Sequence, residues 1–416
     1  MHRHLRFRSR RFWFKPKKVI VYGLLIILLL YLYGHYRHSR VLNSDPVSLL
    51  AARSCPNLGE AKNSLCCPVE KQLPLIHSDA RFPPSYTKTL TSHQEVCRGS
   101  WTPSDCLSQQ KVAILIPYRN RDSHLLLLLA RLHDLLPHQK IAYTIYVIEQ
   151  DEDTPFNRGL LLNIGMREST MRDPAVNCFI YHDVDLLPEN SDNLYLCDSN
   201  LHHLASGINE DRFHVPFENY AGGVTALSRE NAELINGFPN RYWGWGNEDD
   251  ELAARAFLHK LYLSRSQEYI GRYKAVRHVK SSRGSGHYTS FLAYRGFQND
   301  GLTTLQNGSY KVIFDSSNPS ATTRLSHASV FRVMMPLHLN ICVLRSPSWY
   351  SNIPEDGYRL KLHNLTAQSR QLESAARSEL FVHIKVNVTE LYHTVIKPER
   401  KTRESFWWFL QFFGWL

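Results

Sequence analysis

The stretch "CFIYHDVDLL", residues 178 to 187, decides the fold. It is short, apolar and aromatic, and so reads as a buried strand. It closes on Asp-Val-Asp. Residues two apart on a strand share a face, so Asp183 and Asp185 are expected to project together. Side-by-side carboxylates repel unless a cation or several donors lie between them. A hard divalent ion bridging to diphosphate oxygens would satisfy both. The competing reading is a solvated turn with two capping aspartates, and the buried strand before the pair favours the first.

Working outward, "KVAILIPYRN" (111 to 120) is a β-branched strand, and "SHLLLLLARLHDLL" (123 to 136) a helix with Ser123 or Asp122 as N-cap. "IAYTIYVIEQ" (141 to 150) is the next strand, and "NRGLLLNIGMRES" (157 to 169) the next helix. Strands alternating with helices predict an α/β fold with a mostly parallel central sheet and right-handed crossovers. Ligands of such sheets bind at the carboxyl ends of the strands, where Arg119, Arg121, Asp183 and Asp185 fall. Arginine forks suit phosphate. "FNR" adds Phe156 to stack a base and Arg158 to pair with an oxygen. Each arginine alone reads as a surface residue; converging at one edge, they favour a nucleotide site. Gly222 and Gly223 in "YAGGVTALSRE" permit close backbone approach, or form an ordinary turn before a helix. His278 is a candidate imidazole ligand, weak alone in a chain of 21 histidines. "ELFVHIKVNV" (379 to 388) alternates as a late strand, whereas 309 to 380 carries little pattern.

"YWGWGNEDDE", residues 242 to 251, sets tryptophans in a glycine-spaced turn against a run of acids. Buried charge needs partners.

Of the formal net charge of +11, eight charges lie in residues 1 to 18, which contain no acid; the rest of the chain carries +3. Nucleic-acid binding by the body is therefore not expected. "VIVYGLLIILLLYLYGHY" (19 to 36) contains no Lys, Arg, Asp or Glu. As a helix it would rise roughly 27 Å, enough for a thin bilayer. A cleaved signal peptide would need a better cleavage site than "YGHYRHSR". The positive-inside rule places the basic tail in the cytosol and the body in the lumen, as a type II anchor. Eight cysteines, all beyond this span, are compatible with disulfides and include no zinc-type CxxC pair. Sequons stand at Asn307, Asn364 and Asn387. The aromatic "FWWFLQFFGWL" (406 to 416) is too short to span a bilayer. Expected boundaries are a cytosolic tail at 1–18, an anchor at 19–36, a stem and disulfide-pinned segment at 37–96, a catalytic domain at 97–305, a C-terminal part at 306–390 and the aromatic tail at 391–416.

"FNR", "CFIYHDVDLLPEN", "YAGGVTALSRENAELINGFPN" and "RYWGWGNEDDE", in this order and spacing, resemble the β-1,4-galactosyltransferase family over roughly residues 97 to 305. The resemblance implies a GT-A-type nucleotide-sugar-binding fold behind a single transmembrane helix, in the Golgi membrane. It implies manganese-dependent, inverting transfer of galactose from UDP-galactose to the 4-hydroxyl of a terminal N-acetylglucosamine. It assigns the nucleotide to Pro117, Tyr118, Arg119, Arg121, Phe156 and Arg158. Asp185 and His278 match the metal ligands, with Asp183 and Val184 beside them. Tyr220 and Gly223 border the donor; a tyrosine there goes with galactose, a smaller aliphatic residue with N-acetylgalactosamine. Trp245 matches the tryptophan that covers donor and acceptor. Gly246, Asn247, Glu248, Asp249 and Asp250 match the acceptor site, with Asp249 as general base. Cys178 with Cys197, and Cys67 with Cys106, match the disulfides, Cys66 being a rival for Cys67. Two departures stand out. The family's metal-binding methionine is Ala275 here, and Lys280 replaces a second histidine of the xylose-directed members, which disfavours xylose as acceptor. Transfer of N-acetylgalactosamine is the nearest rival activity, and a glycan-binding protein without turnover the rival from another class.

Overall fold

The computed structural model describes residues 24–29, 41–44, 65–66, 79–151, 154–278, 294–305, 309–316 and 377–389. Residues 24–29 are helical, and no helix among the described residues is long and apolar enough to cross a membrane. The basic tail, most of the 19–36 span, most of 309–380, Asn307, Asn364 and the aromatic tail lie outside them.

A ten-stranded sheet forms the centre. Its middle is β3 (Lys111–Tyr118), flanked by β4 (Ala142–Gln150) and β5 (Cys178–His182), all parallel. Alternation along β3 divides the core. Val112, Ile114 and Ile116 pack with the leucines of α2 (Asp122–Leu135), while Ala113 and Leu115 pack with α3 (Arg158–Arg172). Both crossover helices thus bury apolar faces on opposite sides of one sheet, as a βαβ pattern requires. In front of them, α1 (Tyr86–Ser92) sends Tyr86 into the first of these clusters.

The sheet is parallel at its centre and mixed toward its edges, unlike the mostly parallel expectation. On one side β9 (Val224–Ser228), which leads into α4 (Arg229–Leu234), runs antiparallel to β5, followed by β7 (Leu201–His203), β10 (Leu263–Ser266) and β1 (Val41–Ser44). On the other, β13 (Val382–Asn387) adds parallel to β4 and carries β12 (Lys311–Asp315) antiparallel on its outer edge; β2 (Ser100–Trp101) also pairs with β4. The reversal at β9 has a positional consequence. An antiparallel neighbour begins where β5 ends, so Ala221–Gly223 arrive beside Asp183, whose N–H donates to the Gly223 carbonyl at 3.1 Å.

Helix α2 begins at Asp122 with Arg121 as its N-cap residue, and no side chain caps it. Neither Ser123 nor Asp122 takes the expected capping role. The Asp122 carboxylate instead accepts from the Tyr86 hydroxyl at 2.7 Å. For α3 the cap is Asn157, accepting from Leu160 N–H at 2.9 Å. The bridge at Cys106 goes to Cys66, not to Cys67, which lies outside the described residues. Backbone pairing explains the choice: Leu65 bridges Leu107, and Cys66 N–H donates to the Leu107 carbonyl at 2.9 Å, which brings Cys66 against Cys106. Cys178 and Cys197 are joined.

Candidate active site at the sheet edge

Strand β5 stops at His182, and residues 183–185 form a turn before β6 (Leu186–Pro188) enters a separate three-stranded sheet with β11 (Arg272–Ala275) and β8 (Gly207–Ile208). The two aspartates therefore do not share a strand face. Asp183 Oδ1 meets Arg158 Nε at 2.6 Å, whereas Asp185 Oδ2 meets His278 Nε2 at 2.5 Å. Repulsion between adjacent carboxylates is relieved by giving each its own partner. Val184 between them packs against the core.

Arg158 is a hub. Besides Asp183 it reaches Glu248 Oε1 at 3.4 Å and the Gly223 carbonyl at 3.4 Å. Burial works against its charge, but Asp183, Glu248 and Asp249 together raise its pKa. Glu248 opens α5 (Glu248–Leu258), whose first turn holds four acids: Glu248, Asp249, Asp250 and Glu251. Negative charge is stabilised at a helix N-terminus, and the tight entry is made by Gly244, Gly246 and Asn247, all at positive φ. The acids divide by partner. Glu251 is buried against Arg255, Arg241 and the Tyr242 hydroxyl, and so belongs to the core. Glu248 is buried on Arg158, and burial followed by Asp249 raises its pKa. Asp249 is half-buried and Asp250 exposed, on the open side. Trp243 packs in the core while Trp245 stands exposed; the loop between them is tied down where Gly244 N–H donates to the Phe156 carbonyl at 2.8 Å.

Pro117 and Tyr118 end β3 in buried positions. Arg119 turns to the neighbouring loop: it donates to the Thr154 carbonyl at 2.7 Å, and its guanidinium lies 5.3 Å from the Phe156 ring centre. Arg121 donates to His278 Nδ1 at 3.0 Å. His278 reaches Asp185 because Val276 N–H donates to the Asp185 carbonyl at 2.8 Å, clipping the end of β11 to the turn.

A carboxylate suits a hard divalent ion such as manganese, and one imidazole can complete the pair. Ala275 has no donor side chain, and its N–H is engaged by Asn209 Oδ1 at 2.7 Å. Among the described residues no group of three or more His, Cys, Asp or Glu converges as a metal site. One orphaned atom borders the pair, however. The His124 ring lies 6.0 Å from that of His278, and its buried Nε2 has no partner. Burial lowers the pKa of this ring, keeping it neutral. The donor set fits a divalent ion held by two protein ligands, with the rest of its shell drawn from elsewhere.

The loop 220–223 is held carbonyl by carbonyl. Tyr220 O accepts from Arg265 Nη2 (2.6 Å), Ala221 O from Thr225 Oγ1 (2.6 Å), Gly222 O from His203 Nε2 (2.9 Å), and Gly223 O from Asp183 N–H. Sequence reasoning missed His203 and Arg265. The one available signal was a histidine pair and an arginine inside short strands otherwise too buried for them. A Cβ placed on Gly222 would lie 2.4 Å from Asp249 Oδ2 and 2.6 Å from the Tyr220 hydroxyl oxygen, so both tips close on this glycine. Gly222→Ala should displace the Asp249 carboxylate and the phenol end of the Tyr220 ring, not backbone. We expect activity to fall roughly 100-fold, the scale of a ~1 Å misplacement, with an unchanged melting temperature. A large loss of stability in thermal melts would contradict this.

The matching family models cover this region. That for the N-terminal region of glycosyl transferase group 7 spans residues 69–198, and that for the N-terminal domain of galactosyltransferase spans 202–279. Glycosyltransferase is thus the class that fold and site define. β-1,4-Galactosyltransferase 4 of Rattus norvegicus is 41% identical over 244 residues, covering 57% of this chain and 70% of that one. β-1,4-Galactosyltransferase 1 of Mus musculus is 42% identical over 219 residues, covering 52% and 54%. The chain belongs to the β-1,4-galactosyltransferase family. A solved catalytic domain of Drosophila β1,4-galactosyltransferase 7, complexed with xylobiose, aligns over 50% of this chain and 87% of that one, at 28% identity and a TM-score of 0.42.

Proposed function

We propose that the chain transfers galactose from UDP-galactose, with inversion, to the 4-hydroxyl of a terminal N-acetylglucosamine on glycoprotein or glycolipid glycans, in the Golgi lumen behind a type II anchor. One arrangement carries the reading: Asp249 and Tyr220 close on Gly222, beside the Arg158 hub and the Asp185–His278 pair at one sheet edge. Asp249 takes the proton of the acceptor hydroxyl as its oxygen bonds to the anomeric carbon. The bond from that carbon to the diphosphate breaks, and UDP departs with the electron pair. Arg121 and Arg158 serve the nucleotide and the charge it gains, and Arg119 holds the Thr154 carbonyl beside Phe156. Asp185 and His278 would hold manganese, which would supply charge stabilisation for the departing diphosphate. Tyr118 and Phe156 border the base, Trp245 covers the sugars, and Glu248 and Asp250 flank the acceptor. A donor-by-acceptor activity matrix on the lumenal part is the direct test. Neither galactose transfer nor acceptor-free hydrolysis of UDP-galactose with manganese would leave the glycan-binding reading in its place.

The His278 contacts set how metal and nucleotide depend on each other. Arg121 can only donate, so Nδ1 accepts and the neutral ring carries its proton on Nε2, against Asp185. For Nε2 to serve as a metal ligand its lone pair would have to be free, which would put the ring proton on Nδ1 and release Arg121. Diphosphate oxygens are the natural new partners for that guanidinium. Manganese should therefore bind about 5–150-fold more tightly with UDP present, the usual range of a coupling between sites. Ala275→Met should strengthen binding in the nucleotide-free protein. Calorimetric titration checks both, and equal affinity with and without UDP would refute the coupling.

A further inference from the structure

The held loop leads beyond the residues that line the site. His203 and Arg265 are registered partners on the parallel strands β7 and β10, and both are buried. Arg265 Nε donates to His203 Nδ1 at 3.0 Å, which leaves the imidazole proton on Nε2, where it is given to Gly222 O. The same guanidinium donates through Nη2 to Tyr220 O. One buried pair thus grips the chain on both sides of Ala221, with a fixed tautomer. The His203 ring also stands edge-on to the Tyr220 ring, 5.5 Å between centres. Nothing in the proposed chemistry requires a buried arginine beneath this loop, and burying one costs free energy unless its donors are used. Here its donors hold Tyr220 directly and, through His203, Gly222, on which the Tyr220 ring and Asp249 converge.

We propose that His203 and Arg265 are positioning residues that set donor selectivity. By holding the Gly222 and Tyr220 carbonyls they fix where the Tyr220 ring stands, and so the room beside the 2-position of the donor sugar. The inference rests on the reading that Tyr220 borders that sugar. With the pair intact, the phenol crowds the place of a 2-acetamido group and galactose is preferred. With the grip loosened, the ring can retreat and leave room for that group. Selectivity is then a property of a buried pair that never touches the substrate.

The test compares kcat/KM for UDP-galactose and UDP-N-acetylgalactosamine in wild type, Tyr220→Leu, His203→Phe, Arg265→Met and the double variants, each with a thermal melt. Tyr220→Leu should raise the relative use of UDP-N-acetylgalactosamine; if it does not, the reading of Tyr220 itself fails. Given that shift, His203→Phe and Arg265→Met should each move the ratio in the same direction by about tenfold, the scale on which pocket shape discriminates. In the Tyr220→Leu background they should move it less than twofold, because no ring remains to be positioned. A merely structural role would lower both donors equally and leave the ratio unchanged, overturning the proposal. Should the shape-keeping variants not fold, His203→Gln, which keeps a donor for Gly222 O, and Arg265→Lys, which loses the bond to His203, carry the same comparison. His203→Gln should then stay near wild type and Arg265→Lys should shift the ratio; no shift in Arg265→Lys sinks the idea.

Discussion

Asp249→Asn should lower kcat by about 10²–10⁴-fold, the range removed with a general base, while melting temperature and UDP binding stay near wild type. The structure separates Asp249 from its neighbours. Glu251 is tied into the core by Arg241 and Arg255, and Glu248 is committed to Arg158. Burial and Asp249 both favour a proton on Glu248, which makes it a poor acceptor for another. Asp249 is half-buried, accepts the Asp250 N–H at 2.9 Å, and turns its other oxygen toward Gly222 and Tyr220. An asparagine keeps this shape and cannot take the proton. Activity within tenfold of wild type would transfer the role to another group.

The alternation of period and composition from Lys111 to His182 was readable because each element is long and one-sided: β3 alternates between two apolar clusters, and α2 is a leucine run. What could not be read depended on contacts distant in sequence. Continuing the strand through Asp185 assumed that apolar character means pairing, but β5 has partners only as far as His182, where β9 begins. Arg119 has the composition of a phosphate ligand, yet the Thr154 carbonyl lies within its reach. Cys66 and Cys67 are equivalent by spacing, and the bridge between Leu65 and Leu107 separates them. The acids of α5 were legible as a group, but their division into core and site was not, because it is set by Arg158, Arg241 and Arg255. His203 and Arg265 left the faintest trace: besides each other they bind backbone carbonyls, which carry no residue type.

Arg158→Met should destabilise the protein by roughly 3–5 kcal/mol at neutral pH, the cost of leaving buried charge without its partner. Methionine preserves length and the packing beside Phe238, whose ring centre lies 5.9 Å from the guanidinium. Asp183 and Glu248 would then share a buried site with no counter-charge, and donor binding would be lost with the fork. The pH dependence gives the sign. Burial raises the pKa of Asp183 to about 6, and Arg158, bonded to it, is the force that opposes this. Removing Arg158 raises it further. A carboxyl with a raised folded pKa binds more protons in the native state than when unfolded, so stability falls as pH rises from the ordinary carboxylate range through the raised value. The loss in Arg158→Met should therefore be largest near pH 7.5, where Asp183 must be charged in the wild type, and smaller near pH 5.5, where it is closer to neutral. Urea unfolding of both proteins at the two pH values measures the difference. An equal loss at both would mean that Arg158 acts through packing and not through charge, and a larger loss at pH 5.5 would reverse the electrostatic account of the hub.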